Sequence, residues 1–478
     1  MEATKNPGRK TRHYVMSGRA ITLVLLTALL TGCAPVGPNY QRPDLAPPGS
    51  YRFAEQTSQA ASIADAPWFQ VFDDPALQAL IKEAIANNLD LKVAVSRLEE
   101  ARARAGIAKS YLYPQVDGVG SYGASGGTSS QDSDDGSVNQ TAAYGFRLSW
   151  ELDLFGRLRR QQEAAQAIAL ATEQGRRGVL VTLVGDVATN YFLLREIDLQ
   201  IEIARQTLRI NDDTVTYFRN RLDGGVSNRL ELDRIQANRA NTAASIPELE
   251  RLAAVVENAL SLLIGRPPAA ITRQRLALTD ALPPPIPPGM PTTLLTRRPD
   301  VLEAEQRLVA ANADIGVAKA LFYPNISLSG FFGGVSGDLN DFLGAEGAVW
   351  SVGAGLLQPV FQAGRLRRNL EAAQARYDGA LASYQKAALN GYRETANALV
   401  TIQKLAEIRV IRQEGVTALQ DASELSRERY DSGLASYIEI LTADEDLFQQ
   451  QLLLAQVRGA ELRARAELYR ALGGGWQP

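Results

Sequence analysis

Between Tyr144 and Leu154 the chain alternates strictly. Tyr144, Phe146, Leu148, Trp150, Leu152 and Leu154 interleave with Gly145, Arg147, Ser149, Glu151 and Asp153. Period two marks a β-strand with one apolar face. Eleven alternating residues exceed the usual five or six of a soluble strand and match the roughly 9–11 of a transmembrane β-strand. Arg147, Glu151 and Asp153 then face a wet lumen. Partner strands are predicted to begin near Gln115 and Asn325, with a fourth around Val349–Leu357. The loops Ala124–Thr141 and Gly333–Gly347, rich in Gly, Ser and Asp, suit the outside face.

The pattern then changes period. No Pro occurs between Gly156 and Asp223, and Leu180, Val187, Leu194, Ile201, Leu208, Val215 and Leu222 recur every seventh residue. This predicts a coiled-coil helix of about 100 Å at 1.5 Å per residue. Val184 and Tyr191 begin a second stripe, which Asp198, Arg205 and Asp212 interrupt. A second long helix, Gly364 to about Asp431, has a weaker seam through Ile402, Leu405, Val416 and Leu419.

These elements occur twice. Asp90–Val116 aligns with Asp300–Ile326 at an offset of 210, with 11 identities in 27. Gly156–Arg160 repeats as Gly364–Arg368, and Asp223–Glu231 as Asp431–Glu439, both at offset 208. Three blocks in one order imply duplication, at a period far beyond that of solenoid repeats. The expected organisation is a leader (1–32), an N-terminal segment (33–74), a first repeat (75–264), a Pro-rich linker (265–298), a second repeat (299–472) and a short tail (473–478).

The leader has basic residues up to Arg19 and an apolar run, Ala20–Leu30, too short to span a bilayer. This reads as a secretory signal rather than a core helix, with Met1 or Met16 as its start. It closes on Leu30-Thr31-Gly32-Cys33, which resembles a bacterial lipobox. Cys33, the only cysteine, is expected to carry diacylglycerol and an N-acyl chain, since stable anchoring needs more than one chain. Ala34, rather than Asp, implies the outer membrane.

Composition narrows the chemistry. The only His is His13, inside the leader, so the mature chain lacks imidazole for a catalytic triad or a His metal site. Lys and Arg total 50 against 53 for Asp and Glu, which gives no basic field for nucleic acid. With 1–32 removed, net charge moves from −3 to −7. No nucleotide-binding glycine motif is present. Carboxylates are plentiful, so an outer-membrane hydrolase with a carboxylate dyad is not forbidden by composition, but no pair stands out. A poreless coiled-coil structural lipoprotein is the other alternative, and lipid-facing strands speak against it.

Four strands cannot close a barrel, and open edges in hydrocarbon cost several kcal/mol per unpaired group. Other copies of the chain must complete it, with about eight strands the smallest closure. The lipobox, the duplicated strand-pair and long-helix unit, Trp150–Gly156, Arg297–Val301 and the closing Ala471–Trp476 together resemble the outer-membrane efflux proteins, TolC-type channels of the NodT lipoprotein branch. The resemblance covers residues 20–476 and implies an α+β membrane protein: a trimer with a 12-stranded β-barrel continued by a periplasmic helical barrel. It implies a passive exit duct, not an enzyme, in an efflux pump with a periplasmic adaptor and an inner-membrane RND transporter. The linker and both chain ends are expected to belt the helical tunnel.

The resemblance also implies a gate at the helix-turn-helix tips, Asp223–Glu231 and Asp431–Asp444. Glu231 and Glu439 match across the repeat, and Glu439 falls where the family often has a ring carboxylate. A further family Asp falls at Thr442, with Asp444 as its replacement. Arg229 and Tyr437 occupy matching latch positions, and Gly225 and Gly433 allow tight turns. Threefold symmetry turns each carboxylate into a cation-preferring ring. The plainer role for Glu231 is an i,i+3 pair with Arg234. Cargo is not legible, though three Met and no His disfavour a soft-metal relay.

Overall fold

The computed structural model describes residues 35–53, 74–126, 138–273, 291–337 and 348–474. Cys33 and the leader lie outside them. The elements are α1 (Pro75–Asn87), α2 (Leu89–Ser110), β1 (Gln115–Gly126), β2 (Val138–Leu152), α3 (Arg157–Asp223), α4 (Arg229–Leu263), α5 (Pro291–Arg297), α6 (Pro299–Ala320), β3 (Asn325–Ser336), β4 (Ala348–Leu357), α7 (Arg365–Asp431) and α8 (Tyr437–Ala471). The duplication extends to lengths. α3 and α7 have 67 residues each, and α4 and α8 have 35 each.

Among the described residues, one compact unit comprises 35–41, 102–126, 138–168, 308–337 and 348–379. It holds an antiparallel sheet in the order β1-β2-β3-β4, each repeat giving one hairpin. β1 and β3 begin at the expected residues. The loops are shorter than expected: β1 and β3 run to Gly126 and Ser336, and β2 starts at Val138. Even-numbered positions share one face throughout: Phe146 pairs with Phe332, which pairs with Trp350. All three are exposed, as a lipid-facing band requires. The opposite face carries Asp117, Ser121, Arg147, Ser149, Glu151, Ser327, Ser329 and Ser351, with Val119, Ala143, Phe331, Val335, Val349 and Leu357 as apolar exceptions.

The turn from β2 into α3 is built from the predicted lumen residues. Asp153 lies beyond the end of β2 and is not a strand residue. Its carboxylate accepts from the backbone N–H of Leu158 (3.0 Å) and Arg159 (2.8 Å). It is a helix cap, because the first N–H groups of α3 lack intrahelical acceptors. Glu151 does lie in β2 but is held by Arg157 at 2.7 Å. Arg147 stands in the strand, opposite Asp117 and Phe331. The N-terminal segment crosses the same turn. Val36 N–H donates to Phe155 O, and Arg160, almost fully buried, donates to Asn39 Oδ1 at 2.7 Å. Gly156 has φ +77°, and a Cβ there would collide with Pro35, so this close approach requires glycine.

The second unit comprises the described residues 42–53, 74–101, 169–273, 291–307 and 380–474. Its main core joins α1, α3, α4 and α8 through Leu77, Ile81, Val187, Tyr191, Leu194, Leu260, Leu462 and Tyr469. Val184, Val187, Tyr191 and Leu194 of the heptad pattern are buried in it, while Leu180 and Ile201 pack at its edge. The charged interruptions are partnered. Asp198 binds Arg273 at 2.5 Å, Arg205 binds Glu250 at 2.6 Å, and Asp212 binds Arg239 at 2.8 Å. The second stripe is thus an ion-pair ladder, chiefly between α3 and α4.

Of the linker, residues 265–273 and 291–298 are described. Residues Pro291–Arg297 form α5, and Arg273 also pairs with Glu257. Arg298, buried, donates to Ala471 O (2.7 Å), Asp300 (2.6 Å) and Glu394 (2.8 Å), which ties the linker's end to the C-terminal helix.

Candidate channel gate at the helical tips

The two tips are built alike. α3 ends in a Schellman arrangement: Gly225 N–H donates to Leu222 O (2.9 Å) and Val226 N–H to Arg221 O (2.9 Å). α7 ends in the same way, from Gly433 to Tyr430 O (2.9 Å) and from Leu434 to Arg429 O (2.8 Å). Gly225 and Gly433 have φ +76° and +73°, the left-handed conformation this cap demands. Nothing lies near their missing Cβ atoms, so the requirement is conformational and not one of space. The turns span only 224–228 and 432–436, so Tyr437 to Asp444 is helix rather than loop.

Asn228 caps α4 by accepting from Glu231 N–H at 3.0 Å, and Ser227 donates its hydroxyl to the Glu231 carboxylate at 2.6 Å. Glu231 is therefore engaged with its own turn and not with Arg234. Glu439 reaches back to Arg429 at 3.6 Å, both about half-exposed. Arg229 pairs with Asp233 along its own helix at 3.6 Å. Asp444 accepts from Ser423 (2.5 Å) and Arg427 (2.9 Å), tying α8 to α7. Thr442 turns its hydroxyl to Ile438 O.

Tyr437, at a latch position by the resemblance, is buried. It is 6% exposed and belongs to a core of Phe218, Leu232, Ile235, Tyr437 and Ile440. Phe218 lies 4.2 Å from the Tyr437 ring and 5.8 Å from Tyr430. Arg221 lies over Tyr430 and donates to Tyr217 at 3.0 Å. Burial, then the nearby Asp444 charge, pushes the Tyr437 phenol well above its ordinary value, while Arg427 opposes this. The cluster joins the ends of α3 and α7 to the starts of α4 and α8. Sequence reading missed Phe218 and Tyr430; the one local signal was aromatic residues shortly before both turn glycines.

The outer membrane efflux protein family matches residues 80–266 and 290–474, one match for each repeat. The chain belongs to that family. It is 34% identical over 453 residues to the cation efflux system protein CusC of Escherichia coli O6:H1, covering 94% of this chain and 97% of the other. It is 31% identical to the probable outer membrane lipoprotein SilC of Salmonella typhimurium, covering 94% and 97%. It is 33% identical to the solvent efflux pump outer membrane protein SrpC of Pseudomonas putida, covering 94% and 96%. Among solved structures, the outer-membrane channel OprN matches with a TM-score of 0.84 and 32% identity, covering 93% of this chain and all of the other. This member of the family is an outer-membrane exit channel of tripartite efflux pumps, passive and not an enzyme. Its fold class is the family's: a β-barrel shared among three copies, four strands from each, continued by a helical barrel. The poreless lipoprotein and the carboxylate hydrolase are thereby set aside.

Proposed function

We propose that the chain works as a lipid-anchored homotrimer whose helical end reaches into the periplasm, meets an adaptor protein there and passes cargo from an inner-membrane RND-type pump. The supporting observation is one polypeptide that joins a two-faced, open-edged β-sheet to paired helical hairpins with matching tips. At each apex an apolar residue beside the turn glycine, Val226 or Leu434, is exposed, a surface suited to an adaptor. Lipid on Cys33 agrees with the strap at Gly156. Pro35, two positions after the proposed acylation site in sequence, packs on the turn where β2 becomes α3.

In this reading Glu231 and Glu439 line the closed tip as carboxylate rings and favour cations. The carboxylates are held by Ser227 and Arg429 of the same chain. Cargo selection belongs to the pump, since CusC and SrpC are named for cations and solvent. No cofactor beyond the acyl chains is invoked, and no group of metal-ligating residues occurs among the described residues. The test is the mass and single-channel conductance of detergent-extracted protein. A species of three chains with small cation-preferring conductance, raised by E231A/E439A, is expected. A trimer with unchanged conductance would move the gate away from these carboxylates. A monomer without conductance would overturn the duct.

A further inference from the structure

The duplication exposes a difference between the two turns that lead from the sheet into a long helix. At offset 208, Ser149 falls on Leu357 and Gly156 on Gly364 with no gap between them, so Glu151 and Asp153 fall on Pro359 and Phe361. The arginines are kept: Arg157 and Arg159 recur as Arg365 and Arg367. In the first turn Glu151 holds Arg157 at 2.7 Å. Asp153 holds Arg159 at 3.2 Å and accepts from the N–H groups of Leu158 and Arg159. In the second turn both carboxylates are gone. Among the described residues the Arg365 guanidinium hydrogen-bonds only Gln362 Oε1, at 2.7 Å, and no side chain accepts from the N–H groups of Leu366 and Arg367. Arg367 turns instead to Glu371 along its own helix.

Both turns border one cavity of about 260 Å³. Arg157 and Arg365 line it together, but the acids on its wall, Glu151 and Asp153, are already held by first-repeat arginines, so Arg365 is the surplus charge. Glu151, Asn325 and Leu357 on the wall are odd-numbered, the polar face of the sheet, which sets the cavity on the lumen side. The rest of the wall includes Leu152, Leu366 and the stacked rings of Phe155 and Tyr323, 4.7 Å apart. Tyr323 is 43% exposed, so its ring keeps an open face. Phe361 stands where the first turn has its capping carboxylate, yet it is 85% exposed and does not line the cavity. The lost acid has therefore been replaced by space.

We propose that this cavity binds a small carboxylate with an aromatic or short alkyl body. The ligand's anionic end pairs with Arg365 at the start of α7, as Glu151 and Asp153 pair with their arginines at the start of α3. Its body lies against Tyr323, Phe155 and the leucines. A guanidinium takes a carboxylate through two parallel hydrogen bonds, and the uncapped N–H groups of a helix start favour the same charge. A cation would be repelled by Arg365, and a neutral ring would leave that charge without a counterpart. The volume lies at the small end of ligand pockets, which limits the body to roughly one ring. The inference deepens the duct reading by naming a class of cargo that touches the wall where barrel meets helices, with one site from each copy. The site itself is formed within one chain.

The test is equilibrium dialysis of labelled benzoate, and of neutral benzamide as its isostere, against the full-length protein extracted from outer membranes. Benzoate should bind saturably at one site per chain, and benzamide should not. R365Q removes the surplus charge. P359E returns to the second turn the acid that the first turn has, so that Arg365 becomes paired as Arg157 is. Each should weaken benzoate binding by at least about tenfold, the loss expected for one charged hydrogen-bonded contact. Arg365 is exposed and Pro359 lies outside the strand, so both variants should keep the parent's oligomeric mass. Absence of saturable benzoate binding would overturn the site, as it would if a neighbouring copy filled the cavity with a carboxylate of its own. Equal binding of benzamide, or parent-like affinity in either variant, would also overturn it. Conductance of the same preparation separates the two readings. A conducting trimer that takes up no benzoate defeats the site alone, whereas a chain that binds benzoate through Arg365 but does not conduct upholds the site and defeats the duct.

Discussion

Removing Phe218 should loosen the tip far more than removing any of its ion pairs. The ring is 1% exposed and touches Tyr437, Tyr430 and Tyr217 at 4.2, 5.8 and 5.3 Å. Truncating a buried phenylalanine to alanine costs about 3–5 kcal/mol, including its aromatic contacts. The Arg429–Glu439 pair, 3.6 Å apart and half in water, is worth about 1 kcal/mol or less. At about 1.4 kcal/mol per factor of ten, F218A should raise local opening of the tip by at least roughly 100-fold, and R429A by less than about 10-fold. Hydrogen exchange followed by mass spectrometry reads this directly. Peptides spanning 219–236 and 427–440 should exchange faster in F218A, while 183–197, in the main core, should not. Conductance should rise in parallel when the tip is the constriction. Tip exchange within a few-fold of the parent would refute the claim that the aromatic cluster holds the hairpins together. Equal acceleration in 183–197 would show that the substitution unfolds the helices and does not open the tip.

Three further outcomes are expected. Because the Tyr437 phenol is raised by burial and by Asp444, its contribution is fully present below the ordinary tyrosine value near 10 and is lost as pH rises through the folded value; tip exchange should accelerate at strongly alkaline pH, and Y437F should remove that dependence. R273A should lower the melting temperature by leaving Asp198 and Glu257 without their guanidinium, at a cost of about 1–3 kcal/mol for these partly exposed groups, and R273K should restore less than half because an ammonium cannot hold both carboxylates in a fork. C33S should abolish incorporation of labelled palmitate yet leave trimers in the membrane, since the barrel and not the acyl chains spans it; loss of trimers would give the lipid a role in assembly.

The strand starts, the 67-residue helices and the tip turns were legible because each rests on a local rule that the duplication states twice. Gln115 and Asn325 follow the same Tyr-Pro pair, and Gly225 and Gly433 sit at the same offset. What periodicity could not decide was where an element stops. Asp153 continues the alternation of β2, but a carboxylate facing the free N–H groups of a helix start is captured as a cap, and the strand ends at Leu152. Nor does sequence reveal partners distant along the chain. Asp198, Arg205 and Asp212 read as interruptions of a seam until Arg273, Glu250 and Arg239 came opposite. The burial of Tyr437 was hidden for the same reason: its partner Phe218 is 219 positions away.

The open edges of β1 and β4 have a genetic consequence. A barrel assembled from three copies has no spare strand, so a single defective edge leaves the whole ring unsealed. A chain unable to pair through β4 would still offer a sound β1 to its neighbours and be drawn into mixed rings. Expressed equally with the normal protein, it would leave only about one ring in eight free of the defect. Lesions at these edges are therefore expected to be dominant, whereas lesions that keep the chain from reaching the membrane are expected to be recessive. Dominance, scored in a merodiploid strain by drug or metal sensitivity, would sort the two kinds without purification of the protein.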